Sequence, residues 1–204
     1  MKYGCSYRVI ELNDSAMTKI QRTLDSEDLV WKDSLTHNSS LARSSIDRIS
    51  KQAWVRDHRF CEIFMDIAIV MNEQNLWNLA IQGVEPIQYG IYPEGGKYDW
   101  HVDQHPKPIY WANDSGSEQG VVRKISMTLF MNDPDEYKGG EFDLEIYKPE
   151  TDCRYETFKL KKGSAIFFQS DQWHRVRPVT SGIRKSIVAW FYGCLLYTSP
   201  SPRD

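Results

Sequence analysis

Of the five histidines, at positions 37, 58, 101, 105 and 174, two stand in a pattern suited to holding a metal. His101 and Asp103 are separated by one residue at the end of a strand-like segment, Lys97–Val102. Residues i and i+2 of a strand share a face, so both side chains can reach one point. His174 opens another strand-like run farther along. Two imidazoles and one carboxylate on one side of a metal leave three coordination positions open, the arrangement of an Fe(II) centre that must bind oxygen and a chelating cosubstrate directly. Arg184 follows His174 by ten residues and opens the last strand. A buried arginine there needs an anionic partner, and its planar fork suits a carboxylate. His105, beside Pro106, is placed on the loop rim and not among the ligands.

These residues need a scaffold, and the hydrophobic pattern supplies one. Asn13-Asp14-Ser15 offers N-cap residues for a helix over 16–24 carrying Met17, Ile20 and Leu24. Residues 31–45 are polar and read as a loop. Ser44-Ser45 is expected to cap a short helix with Ile46, Ile49 and Ala53 on one face. Residues 57–79 form the longest helical candidate, with Phe60, Phe64, Ile67, Met71 and Leu79 on its apolar face. From Val84 the period becomes two: strands are predicted over 84–92, 97–102, 124–131, 141–147, 155–160, 165–168 and 184–192, separated by Gly/Pro turns. Such a series argues for a mainly β chain with N-terminal helices (α+β), arranged as a sandwich or jelly roll. The domain reading is a helical support region over 1–83 and a β core over 84–193.

The chain has 204 residues, 41% hydrophobic, 26% charged and 13% aromatic, which excludes disordered, collagen-like and coiled-coil classes. With 25 basic and 28 acidic residues the net charge is -3, which argues against a nucleic-acid partner. No apolar run approaches the ~20 residues that cross a bilayer, and Met1–Ile10 has no secretory apolar core. The four cysteines, at 5, 61, 153 and 194, form no C-x-x-C pair, so neither a disulfide framework nor a cysteine zinc site is expected and a cytoplasmic location fits. Residues 194–204, CLLYTSPSPRD, resemble the translated sequence of a transposase-type sequencing adapter and are set aside as a non-native tail.

Residues 84–193 resemble the 2-oxoglutarate and Fe(II)-dependent oxygenase superfamily, in its prolyl-4-hydroxylase-like branch that includes hydroxylases of the PKHD type. The resemblance is carried by YPEGGKYDWHVD (92–103), RKISMTLF (123–130), YKGGEF (137–142), GSAIFF (163–168), WHRVRPV (173–179) and GIRKSIVAW (182–190). It implies a double-stranded β-helix with helices packed on one side. It implies that His101, Asp103 and His174 hold iron and that Arg184 binds the distal carboxylate of 2-oxoglutarate. It also implies that Tyr92 lines the cosubstrate pocket, where its phenol can donate a hydrogen bond. Phe130 and Val188 stand where some relatives carry tyrosine and threonine. The implied reaction uses O2 and 2-oxoglutarate to hydroxylate a C–H bond, on a peptidyl proline or another amino-acid side chain, releasing succinate and CO2. Ascorbate (vitamin C) dependence is implied in the same way.

Two other readings compete: a non-catalytic jelly-roll binding module, and an oxygenase acting on a small molecule. A cupin-like enzyme with another metal has no need of Arg184. Trp190, Ile187 and Ile166 are expected to wall the barrel, and Trp100 and Trp173 to face away from the metal and pack. The stretch 104–122 reads as a long loop whose Tyr110 and Trp111 contact substrate or tuck beneath it. The N-terminal helices are expected to provide oligomeric or substrate contacts.

Overall fold

The structure is a computed structural model, and it describes residues 6–34, 48–104, 107–112, 118–148 and 153–194. The elements in chain order are β1 (Tyr7–Glu11), α1 (Asp14–Ser26), β2 (Lys32–Ser34), β3 (Arg48–Val55), α2 (His58–Gln74), β4 (Gly83–Val84), β5 (Ile87–Tyr92), β6 (Lys97–His101), β7 (Ile109–Ala112) and β8 (Glu118–Phe130). There follow β9 (Tyr137–Gly139), β10 (Phe142–Lys148), β11 (Cys153–Phe158), β12 (Ser164–Gln169), β13 (His174–Val176), β14 (Val179–Gly182) and β15 (Arg184–Cys194).

One curled antiparallel sheet runs β1-β12-β8-β15-β5-β3-β6-β13-β10-β11, with β2, β4 and β7 attached to β3, β15 and β8; β14 and β9 form a separate pair. Alternation along the strands divides the interior into two layers. On β15, Ile187, Ala189 and Phe191 point to one side, where they pack with Ile125, Met127, Leu129 and Phe167 against Ile20 and Leu24 of α1 and Phe60, Phe64, Ala68 and Met71 of α2. Arg184, Ser186, Val188 and Trp190 point to the other side, into a cavity floored by Phe142 and Phe168. Ile187 therefore does not wall the barrel; it is fully buried on the helix side, whereas Ile166 lies in the cluster with Phe142 and Phe168 and Trp190 lines the cavity. This is the double-stranded β-helix with helices on one side.

Both helices start where the capping residues dictate. Asn13 accepts from Ala16 N at 2.9 Å and Asp57 from Phe60 N at 2.8 Å. The second helix stops at Gln74, short of the expected Leu79. The Asn75 amide caps the Met71 carbonyl at 2.9 Å, Leu76 and Asn78 take positive φ, and Asn72 binds both the N–H and the carbonyl of Leu79. Asparagine competing for backbone groups ends this helix without any Gly or Pro.

The first 83 residues are not helical throughout. β1 pairs with β12, β2 with β3, and β3 with both β5 and β6. The expected helix around Ile49 and Ala53 is strand β3; pairing on both sides overrides the helical spacing of its apolar residues. Ser44, Ser45 and Ile46 lie outside the described residues. The stretch 104–122 is not one loop, because β7 pairs with the start of β8 in register Ile109↔Val121. Cys194, assigned from sequence to the tail, is the last residue of β15 and pairs with Val121; residues 195–204 lie outside the described residues. Cys61 and Cys194 are free thiols.

Candidate metal centre and cosubstrate pocket

His101 and His174 lie opposite one another in the β6–β13 register. Between Tyr98 and His101 the pairing slips, three residues of β6 spanning two of β13. That irregularity re-aims the end of β6 so that Tyr98 and His101 both face the cavity. The strand stops at His101. Asp103 is placed by a bend, where the Ser170 carbonyl accepts from Asp103 N (3.0 Å) and Gln104 N (2.8 Å). The shared face expected from strand alternation is thus produced by a bulge and a bend.

The three side chains converge. His174 Nε2 lies 3.3 Å from Asp103 Oδ2, and His101 Nε2 lies 3.9 Å from Asp103 Oδ1. One ligand atom from each of the three falls within 4.8 Å of the others. Each imidazole turns its other nitrogen to a carbonyl: His101 Nδ1 to Asp99 O at 2.7 Å and His174 Nδ1 to Gln172 O at 2.9 Å. Such a bond requires Nδ1–H, which leaves the Nε2 lone pair directed at the cluster. Burial, reinforced by the neighbouring His174, holds His101 down to about 3, so its ring is neutral at ordinary pH and ready to coordinate. Burial works to raise the Asp103 carboxyl, but the facing His174, with His101 and the Arg123 guanidinium adding to it, prevails and holds it below the usual carboxylate range.

Arg184 is 1% exposed. Its Nη1 donates to Ser186 Oγ at 3.0 Å, while Nε and Nη2 are buried without an acceptor. The guanidinium carbon stands 5.3 Å from the ring centres of both Tyr92 and Phe130, and burial pushes it below the usual arginine range. No carboxylate among the described residues pairs with it. Two orphan donors on a buried cation, facing the same cavity as the carboxylate–imidazole cluster, fit one end of a dicarboxylate whose other end chelates a metal. The donor set of two imidazoles and one carboxylate likewise fits Fe(II). Tyr92, directly opposite Arg184 in register, lines the cavity, and its hydroxyl bonds to no described residue.

Several site residues carry no motif in the sequence. Arg123 forms a two-point pair with Glu85 (both contacts 2.7 Å), lies 3.9 Å above the Trp190 ring, and reaches the Asp103 carbonyl at 3.4 Å. It thus ties the bend carrying Asp103 to β8. Arg48 and Gln88 also line the cavity. Both come from strands whose inward faces show only once the sheet is assembled. Trp100 does face away, packing beside Arg175 and Tyr155, but Trp173 is 48% exposed and is not a packed residue. His105 and the side chains of Tyr110 and Trp111 lie outside the described residues.

A curled antiparallel sheet gathers His-x-Asp, a distant histidine and a buried arginine without a carboxylate partner among the described residues around one cavity, a candidate mononuclear metal centre on a double-stranded β-helix. Residues 87–192 match the family described as the 2OG-Fe(II) oxygenase superfamily, and the chain belongs to that superfamily. Relatives include the PKHD-type hydroxylase of Rippkaea orientalis, 32% identical over 59% of this chain and 48% of that protein. A PKHD-type hydroxylase of Xylella fastidiosa is 37% identical over 52% of this chain and 43% of its own length. The chain spans about half the length of the curated relatives it matches. Among solved structures, a Pseudomonas putida prolyl-4-hydroxylase is similar with a TM-score of 0.60 and 18% identity, covering 91% of both chains. The viral collagen prolyl hydroxylase of Paramecium Bursaria Chlorella virus-1 gives 0.61 and 20%, covering 93% of this chain and 97% of its own. These likenesses define the fold. No helix among the described residues is long and apolar enough to cross a membrane.

Proposed function

We propose that the chain carries an Fe(II)- and 2-oxoglutarate-dependent dioxygenase core, residues 84–193, that hydroxylates a C–H bond on a peptidyl proline or another amino-acid side chain. The observation that carries this reading is the pairing of His101, Asp103 and His174 with Arg184, whose Nε and Nη2 are buried without acceptors, around one cavity. His101, Asp103 and His174 would hold the iron. When bound, iron with 2-oxoglutarate and O2 supplies the oxidising power for hydroxylation, with succinate and CO2 as coproducts.

The protein's own part is placement. Arg184 anchors the distal carboxylate of the cosubstrate, and the Tyr92 phenol is free to donate to one of its oxygens. The Asp99 and Gln172 carbonyls keep both imidazoles in the coordinating tautomer. Phe142, Phe168 and Val188 supply apolar wall, which lowers the local dielectric and strengthens the contacts made inside. Ascorbate is proposed to support turnover by keeping the iron reduced, and a cytoplasmic setting suits that requirement.

The reading is tested by incubating the protein with Fe(II), 2-oxoglutarate labelled at C1, ascorbate and candidate peptides under oxygen. Release of labelled CO2, stimulated by a peptide that gains one oxygen in mass, is expected. Absence of CO2 release from folded, iron-loaded protein contradicts it.

A further inference from the structure

Only two arginines are buried among the described residues, Arg184 and Arg48, and both line the same cavity. Three other arginines are paired with carboxylates: Arg123 with Glu85, and Arg175 and Arg177 together with Asp143. Arg48, 8% exposed, is not. Its Nε donates to Ser50 Oγ and its Nη2 to Gln88 Oε1, both at 2.9 Å. Both acceptors are uncharged. Gln88 is itself held by its amide on Gln52 Oε1 at 2.7 Å, so the oxygen aimed at Arg48 is fixed. Nη1 donates to no described residue, and no described carboxylate pairs with the group. A buried guanidinium with only uncharged partners sits in a low-dielectric setting, where an anion is bound strongly.

Its position separates it from Arg184. Arg184 stands opposite Tyr92, and Arg48 grips Gln88, four residues earlier on the same inward face of β5. Arg48 is also opposite Tyr98 in the β3–β6 register, its guanidinium carbon 4.7 Å from the Tyr98 ring, and that ring stacks 3.5 Å from His101. Arg48 therefore borders the His101–Asp103–His174 cluster through the Tyr98 ring, on the β3–β6 pair rather than the β5–β15 pair that carries Tyr92 and Arg184. A dicarboxylate cosubstrate already has a partner for each end, Arg184 and the metal. A third anionic group is left for this second cation, and it must come from the other reactant.

We propose that Arg48 receives a carboxylate of the substrate, so that the site selects acidic substrates and Arg48 sets that selectivity. The inference rests on the oxygenase reading above. Gln88 and Ser50 aim the guanidinium, and the single free Nη1 offers one charge-assisted hydrogen bond to a carboxylate oxygen.

The test uses protein loaded with Zn(II) in place of iron and saturated with 2-oxoglutarate, so that the Arg184 end is occupied. N-acetyl amino acids, as free acids and as the matching primary amides, are titrated and followed by saturation-transfer NMR. The free acids are expected to bind about tenfold more tightly than the amides, a typical worth for one charge-assisted bond. Arg48→Gln removes the preference and leaves 2-oxoglutarate affinity within about twofold, whereas Arg48→Lys, which keeps the charge, retains part of it. Equal binding of acids and amides, no binding of the acids at millimolar concentration, or a preference that survives Arg48→Gln overturns the proposal. So does a tenfold loss of 2-oxoglutarate affinity in Arg48→Gln, which would assign Arg48 to the cosubstrate. Failure of wild-type protein to bind 2-oxoglutarate at all overturns the oxygenase reading instead.

Discussion

Arg184 and Tyr92 face each other across neighbouring strands, the guanidinium carbon 5.3 Å from the centre of the phenol ring. The aromatic face favours the cation, and the hydroxyl remains free for a ligand. Arg184→Gln is expected to weaken 2-oxoglutarate binding by about 100-fold, as loss of a buried charge-assisted anchor does, with metal affinity nearly unchanged. Tyr92→Phe keeps the ring and loses one hydrogen bond, so the expected loss is about fivefold to tenfold. Calorimetric titration of 2-oxoglutarate into Zn(II)-loaded protein measures both. Unchanged affinity in Arg184→Gln sinks the assignment.

The cluster of His101, Asp103 and His174 predicts the metal affinities. Asp103→Asn and His174→Ala each delete a ligand and are expected to lower Mn(II) or Zn(II) affinity at least ~100-fold. Arg123→Met leaves all three ligands and removes the tether to the Asp103 carbonyl. A smaller loss, about tenfold, is expected there. Equilibrium dialysis against a chelator buffer separates the two grades of effect.

Gly140 couples a turn to the Arg184 side chain. Its φ is +66°, and a Cβ there would sit 3.1 Å from Arg184 Cδ and 3.0 Å from Val179 Cγ2. Gly140→Ala strains the backbone and presses on Arg184 together, so about 1–3 kcal/mol of stability is expected to be lost. 2-Oxoglutarate affinity is expected to fall as well and not to recover on cooling, because the displaced Arg184 side chain belongs to the folded state. Thermal melts and ligand titration at two temperatures check both points.

Asp143 predicts an acid sensitivity independent of any metal. Its side chain is wholly buried and receives Arg175 Nε at 2.7 Å, Arg177 Nε at 2.8 Å and Thr157 Oγ1 at 2.7 Å. Burial works to raise its carboxyl, but the hydrogen bonds from Arg177, Thr157 and Arg175 prevail and hold it below the usual range. The unfolded chain therefore takes up this proton at a higher pH than the folded one. The stabilisation is fully present above the ordinary carboxylate range and is lost as pH falls through the lower folded value. Asp143→Asn is expected to cost about 2 kcal/mol at neutral pH and to flatten the acid limb of the stability profile. Urea melts between neutral and acid pH would show an unchanged limb if the network were inert.

The convergence of the candidate ligands was legible in the sequence because the pattern is local: a His-x-Asp pair, one distant histidine and one arginine opening a strand. The strand pattern from Val84 onward was legible for the same reason, since Ile125, Met127 and Leu129 alternate faithfully and share one buried face. Helix starts were readable from Asn13 and Asp57, which cap by their own side chains. Long-range pairing was not readable. β3 carries apolar residues at helical spacing and becomes a strand because β5 and β6 claim it. Ile187 lies on the wrong face for the barrel because alternation fixes parity but not which parity is inside. Arg48 had no motif; its role depends on β3 lying against β6.

The central claim is that four residues build one site for Fe(II) and 2-oxoglutarate. Anaerobic visible absorption of the protein, with Fe(II) added first and 2-oxoglutarate second, tests it most directly. A metal-to-ligand charge-transfer band that requires both additions is predicted, absent in His174→Ala and weakened in Arg184→Gln. A folded wild-type protein that gives no band, or a band indifferent to both substitutions, would contradict the account.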